Sequence, residues 1–253
     1  MILSIYIFVL GSIIGSFLNA LSYRIPNSIS IIKPRSRCPR CGHQLRWFEN
    51  IPLISYLVQG RRCLFCKTNI PIRYFLLELS TAALFYFHLK QILFFDYIFV
   101  VELIIISIFL LIVVIDLENK IIPDSLNLLL FILIPIYTKS YVSYKVMLLG
   151  GGLAFFIPLS ITYIFYKLTG KIGLGGGDIK LYGIIGISIG FQGFISNLFL
   201  SCTLGSFVVL FLLLTKIIKR NEPIPFGPFI ITVLYTQLFF PKLINLIFSY
   251  IIK

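Results

Sequence analysis

The chain has 253 residues, of which 58% are hydrophobic and only 12% are charged. Soluble domains carry about 25% charged residues, so this composition lacks the polar surface that a water-soluble fold requires. The net charge of +13 reads as membrane topology and attraction to anionic lipid headgroups, and no aromatic-interleaved basic surface or binding motif accompanies it to suggest nucleic acid.

The apolar residues come in runs close to the roughly 20 residues with which a helix crosses a bilayer core. In chain order they predict eight spans, at about 1–22, 74–90, 97–115, 125–138, 146–167, 179–192, 194–215 and 227–250. The expected fold is therefore an all-α integral membrane protein with about eight transmembrane helices. A small cytoplasmic, zinc-binding insertion is expected between the first two. Three parts follow: a first transmembrane helix at 1–22, a polar loop at 23–73 and a transmembrane core at 74–253. The first run has no basic residue ahead of it and holds Gly11, Gly15 and Ser16 inside it, so it reads as a retained helix and not as a cleaved signal. The fourth and sixth spans are short and each follows an Asp-bearing loop, which starts them deeper in the membrane. No internal repeat or low-complexity tract is present.

Charge gives the orientation. With the N-terminus outside, the cytoplasmic side receives ten basic residues of the 23–73 loop together with Lys120, Lys167, Lys171, Lys180, Lys216, Lys219 and Arg220. The outer side keeps only Lys90, Lys139, Lys145, Lys242 and Lys253. An asymmetry of this kind is what the positive-inside rule describes.

The loop carries two Cys-x-x-Cys pairs, Cys38-Pro-Arg-Cys41 and Cys63-Leu-Phe-Cys66. Each pair makes a tight turn that aims two thiolates at one tetrahedral ion, and zinc is the expected metal. The reducing cytoplasm disfavours disulfides, and the alternative reading is a redox pair or plain buried cysteines. Four thiolates leave no open coordination position, so the zinc is expected to be structural. His43 reads as a bystander, and Cys202 as a small residue inside an apolar span.

Nine acidic residues are present. Glu78 and Glu102 fall inside spans, where a charge is costly unless neutralised, paired or functional. Asp116 closes the third span, Glu118 and Asp124 follow it, and Asp178 opens the sixth after Gly175-Gly-Gly177. Asp116 and Asp178 are expected at one membrane depth on one face. The glycines are expected to let the backbone pass close to a neighbour and adopt conformations closed to other residues. A helix N-terminus at Asp178 favours its carboxylate. Two carboxylates in a low-dielectric site do not both ionise easily, and the pair can activate water as an aspartic protease does. Helix capping, or pairing with Lys120, Lys171 and Lys180, is the plainer reading of the same acids. The glycine run lacks the Gly-Lys-Ser/Thr ending of a phosphate loop.

The order of these motifs resembles the bacterial type IV prepilin peptidases, over nearly the whole chain. Gly15-Ser-Phe-Leu-Asn19 followed by Tyr23-Arg-Ile-Pro26 is similar to the opening of that family. The two cysteine pairs are similar to its cytoplasmic loop, and Ile72-Arg-Tyr-Phe-Leu-Leu-Glu78 to the entry of its second span. Asp116 with Ile122-Pro-Asp124 matches the first catalytic motif, Gly175-Gly-Gly-Asp178-Ile-Lys180 the second, and Pro225-Phe-Gly-Pro-Phe229 the last span. The resemblance implies an intramembrane aspartyl endopeptidase of the bacterial inner membrane. Such an enzyme removes the basic leader of prepilins and pseudopilins after a Gly at the cytoplasmic face. It implies Asp116 and Asp178 as the catalytic pair, with Asp124, Gly175, Gly177 and Lys180 in support and Cys38, Cys41, Cys63 and Cys66 on zinc. It also implies N-methylation of the new N-terminus from S-adenosylmethionine, an activity associated with the cysteine-bearing part. The expected partners are prepilins or pseudopilins and membrane lipids, with no nucleic acid. The basic loop then serves lipid headgroups, or acidic residues on the mature side of the cut, because the leader is itself basic. The alternative function is an ion or proton transporter that uses Asp116, Asp124 and Asp178. The absence of a repeat and the placing of the acids at span ends argue against it.

Overall fold

The computed structural model describes residues 2–33, 35–91, 96–140, 142–219 and 222–244. Among these residues the regular structure is helical, relieved only by isolated bridges between Arg37 and Gln44 and between Arg62 and Asn69. The chain falls into two compact units, Met1–Leu111 and Ile112–Lys253.

The first unit contains α1 (Ile2–Arg24), a 3-10 turn (Trp47–Asn50), the short α2 (Ile54–Val58) and α3 (Ile72–Leu89), followed by most of α4 (Tyr97–Asn119). α1 lies on α3 through Gly11 and Gly15. A Cβ at either would fall 2.7 Å from the Cα of Ala82 or Glu78. Small residues four apart allow helix axes to approach closely where lipid supplies no hydrophobic drive for association. Asn19 Nδ2 donates to the Tyr74 carbonyl at 2.9 Å across the same contact. The two acids inside expected spans are both occupied. Glu78 Oε2 accepts the backbone N–H of Leu53 at 2.7 Å, and Glu102 pairs with the buried His88.

The second unit takes the end of α4 and adds α5 (Asp124–Thr138), α6 (Tyr144–Thr169), α7 (Gly176–Leu214) and α8 (Gly227–Phe239). Gly150 of α6 meets α7 so closely that a Cβ there would lie 2.8 Å from the Cα of Gly190. Gly190 itself has φ 75 and ψ 179, a non-helical conformation that breaks the 39-residue α7 and that only glycine adopts without strain. The spans expected at 179–192 and 194–215 are thus two helical arms that fold back on each other at this residue, with Tyr182 Oη 3.3 Å from Ser201 Oγ across them.

α1, α4, α6 and α7 are long and apolar enough to cross a membrane, while α5 and α8 are shorter apolar helices. Among the described residues the expected segments are helical, and length and composition alone mark four helices of membrane-crossing length, α7 counting once although it joins two arms. Of the last expected span, α8 covers the part up to Phe239, and 245–250 lie outside the described residues.

Candidate active site and metal centre

Four elements of the second unit place the acids. α4 presents Asp116 in its last turn and stops at Lys120, whose N–H returns to the Asp116 carbonyl at 2.8 Å with φ 57. This left-handed residue ends the helix as a glycine would, at the strain that active sites tolerate. The chain then runs through Ile122 and Pro123 into α5, whose first residue is Asp124.

Asp116 is 5% exposed, and its Oδ2 accepts the backbone N–H of Gly227 at 2.8 Å. Gly227 is the first residue of α8, so an unsatisfied helix N-terminal donor and the positive end of its dipole are aimed at the carboxylate. Asp178 is the third helical residue of α7 and half-buried. It accepts a hydrogen bond from the N–H of Gly175, the N-cap, and lies close enough to Asp116 to feel its charge. An acid reaching back to the N-cap amide is half of a capping box, so the plain capping role and the approach to Asp116 coincide in this residue.

Asp124 and Lys180 form an exposed ion pair at 2.6 Å, and Asn127 Nδ2 donates to the Gly177 carbonyl at 3.3 Å. Together they tie the start of α5 to the start of α7. A surface pair of this type is worth about 0–1 kcal/mol, so its effect is one of placement. Asp124 points to Lys180, whereas Asp116 and Asp178 are the acids brought together.

Of the two parts expected of the glycines, close passage past a neighbour holds at Gly177 and special conformation does not. None of Gly175, Gly176 and Gly177 has a positive φ, so conformational freedom is not what the run supplies. Gly177 is needed for space, since a Cβ there would lie 2.8 Å from the Cβ of Ile122. Gly176 has nothing within 4 Å, and Gly175 meets only the Asp178 carboxylate at 3.0 Å.

Ile122 and Gly227 fall inside stretches that carry the family resemblance, Ile122-Pro-Asp124 and Pro225-Phe-Gly-Pro-Phe229, with no role of their own assigned there, and Asn127 lies outside every motif. A Gly-Pro step at the head of an apolar run is also a helix-start pattern, which Gly227 and Pro228 supply. Asn127, 4% exposed with its Oδ1 unpartnered, had only the oddity of a buried amide in an apolar helix.

In the first unit the two cysteine turns are near copies, 25 positions apart. Cys38 N–H donates to the His43 carbonyl and Cys63 N–H to the Thr68 carbonyl, both at 2.9 Å. Gly42 (φ 72) and Lys67 (φ 57) take the same left-handed corner. All four Sγ atoms lie within 4.8 Å of one another, and Cys38 and Cys66 are 3.8 Å apart. A tetrahedron with Zn–S bonds of about 2.3 Å has edges of about 3.8 Å, so the donor set fits zinc. Hydrogen bonds from the hydroxyl and N–H of Thr68 draw the Cys66 thiol down to about 6. Although the His43 N–H favours its thiolate, Cys41 is pushed up to about 12 by desolvation and by the three neighbouring sulfurs. A divalent cation is what would let all four ionise together. His43 is no ligand here. It stacks on Phe65 at 5.4 Å and bonds Glu49 at 3.2 Å, bracing one turn against the other.

Two family models match the chain, the bacterial peptidase A24 N-terminal domain over residues 9–92 and the type IV leader peptidase family over residues 103–210. Among curated relatives, a prepilin leader peptidase/N-methyltransferase of Myxococcus xanthus is 34% identical over 83% of this chain, which spans 63% of that longer protein. Proteins of the same name are 32% identical in Pseudomonas aeruginosa, over 87% of this chain and 84% of theirs, and 32% identical in Vibrio cholerae, over 88% and 91%. No solved structure matches. With both models matched in order, and relatives similar along most of their length, the chain belongs to the type IV leader peptidase family.

Proposed function

We propose that the protein is an aspartyl endopeptidase of the bacterial inner membrane. It cleaves the basic leader of type IV prepilins and pseudopilins after a Gly at the cytoplasmic face. The observation that carries this reading is the meeting of Asp116 and Asp178 at the heads of α8 and α7, in a chain whose relatives are named prepilin leader peptidases. Among the described residues neither acid has a cationic side chain as a bonded partner, whereas Asp124 is committed to Lys180.

In this mechanism one carboxylate takes a proton from a water held between the pair, and the hydroxide attacks the scissile carbonyl carbon. The other acid, protonated, donates to the carbonyl oxygen. Collapse of the tetrahedral intermediate breaks the C–N bond, and the first acid returns its proton to the leaving amine. Asp124 with Lys180, and Gly175 with Gly177, hold the second acid in place and take no part in proton transfer. The four cysteines hold a structural zinc. N-methylation of the new N-terminus rests on the names of the relatives. S-adenosylmethionine would be the methyl donor, and no residue of this chain is assigned to it.

The test is cleavage of a prepilin by membranes containing the wild type, Asp116→Asn, Asp178→Asn or Asp124→Asn at matched expression. Loss of either member of the pair removes acid–base work worth about 10²–10⁴ in rate. The Asp124 variant keeps measurable cleavage. Full activity in both Asp116→Asn and Asp178→Asn would sink the assignment and favour the ion-path alternative.

A further inference from the structure

Part of the polar loop runs back alongside α1. Gly15 stands nine residues before Arg24, about 13 Å along the axis from that end of the helix. The 23 residues of α1 roughly match the thickness of a bilayer core, so Gly15 lies well inside it. A Cβ on Gly15 would fall 2.7 Å from the Cα of Glu78, which puts Glu78 at the same level. The Glu78 carboxylate takes the N–H of Leu53 at 2.7 Å. Asn50 and Pro52 line a small cavity together with Ile13, Ser16 and Phe17 of α1. α2 therefore begins beside the membrane-crossing length of α1 and not beyond its end.

The backbone there meets the demand that lipid makes of irregular chain at such a depth, that its polar groups be satisfied within the protein. Glu78 takes the Leu53 N–H, the Ile54 N–H returns to the Pro52 carbonyl at 2.6 Å, and the Ser55 N–H returns to the Ile51 carbonyl at 2.9 Å. The side chains of α2 then divide between two directions. Tyr56 is buried and stacks on Phe75 of α3 at 5.3 Å. Ile54, Leu57 and Val58, three and four positions apart and so on one face, point the other way and are 58%, 64% and 81% exposed. Arg61 and Arg62 follow at once, both exposed. An apolar face leading into exposed cations suits an element that passes from acyl chains to anionic headgroups.

We infer that α2 is seated in the bilayer, with Ile54, Leu57 and Val58 among the lipid acyl chains at the Arg24 end of α1. The cysteine-bearing loop is thereby pinned to that leaflet at a second point, besides the helices that bound it. Docking of a protein on the same face would not require α2 to start at the level of Glu78. The seating does not depend on the peptidase reading.

Trp47 is the one tryptophan of the chain, so a Trp47→Phe background is free of indole emission. In it, Leu57→Trp places the sole indole on the open side of α2. Tyr6→Trp, at a position 69% exposed on α1, supplies the lipid-facing reference. Full-length protein is reconstituted into vesicles of phosphatidylcholine and phosphatidylglycerol with ordinary or brominated acyl chains. Leu57→Trp is expected to lose as large a fraction of its emission to the brominated chains as Tyr6→Trp does. A melting temperature in detergent equal to that of the Trp47→Phe parent verifies each fold, and Val58→Trp replaces Leu57→Trp if that variant has lost it. Absence of quenching by the brominated chains overturns the inference. Quenching by aqueous acrylamide would then put the face in water, and protection from both quenchers would put it against protein.

Discussion

Gly227 has a hydrogen on its Cα where any other residue would have a Cβ, and that Cβ would stand 2.8 Å from Asp116 Oδ2. Gly227→Ala therefore displaces the carboxylate without removing it. A misplacement of about 1 Å costs on the order of 10²-fold in rate, and prepilin cleavage at matched expression measures it. The glycines at the head of α7 divide in the same way. Gly177→Ala collides with Ile122, whereas Gly176→Ala meets open space and replaces a poor helix former by a good one, a gain of about 1 kcal/mol. We expect cleavage to fall in the first and persist in the second, with the second protein melting higher. These distinctions were not legible in the sequence. Gly175, Gly176 and Gly177 look alike there, and the partner that makes Gly177 necessary comes from a different helix. Asp116 and Gly227 are 111 residues apart, and no local pattern encodes such a pair. The identity and order of the acids could be read because each sits beside its own short motif.

Among the elements, the cysteine turns were legible because each ligand pair is made by one local turn. Their bracing was not, since His43 reaches Glu49 and Phe65 only once the turns fold. Burial works against ionisation of Glu49, but the Arg46 N–H and the His43 ring outweigh it, and its carboxyl lies below the ordinary carboxylate value. An acid so depressed contributes its full stabilisation above its unfolded pKa of about 4.3 and loses it as pH falls through the folded value. Zinc release on acidification begins with the thiolates, at higher pH. Glu49→Gln should thus shift the release midpoint upward by a constant amount in that range, and the difference from wild type should shrink only below about pH 4. Zinc retention across a pH series checks this. Removing the metal with a chelator, or Cys63→Ser, should unfold the loop, because ligand binding and folding are one event in sites of this kind. Protease sensitivity between residues 23 and 73 reads that outcome.

At the scale of the whole chain, the hydrophobic runs predicted helices well, because lipid leaves the backbone no other way to satisfy itself. They were less able to say where one span stops and the next begins. From the charge asymmetry we expect the α5–α6 connection outside and the α6–α7 connection inside. In a Cys202→Ser background, Ser143→Cys should label with an impermeant maleimide in intact spheroplasts, and Thr169→Cys only in inverted vesicles. The reverse pattern would refute the orientation. Gly190, which the sequence offers only as a glycine between two apolar runs, joins the arms of α7. A Cβ there would lie 2.7 Å from Val146 Cγ1 in a conformation that costs other residues about 1–3 kcal/mol, so Gly190→Ala should lower the melting temperature measurably. The arm before it carries Asp178 and is tied to α5. The arm after it is fastened to α8, where Asn197 Nδ2 donates to Gln237 Oε1 at 2.8 Å and Gln237 Nε2 to the Gly193 carbonyl at 3.0 Å. α8 in turn begins at the amide that holds Asp116. The arms are also held to each other, by Tyr182 Oη and Ser201 Oγ at 3.3 Å and by the Tyr182 and Phe194 rings at 5.4 Å, so the turn that Gly190 permits makes one braced frame of the head of α7 and the amide that holds Asp116.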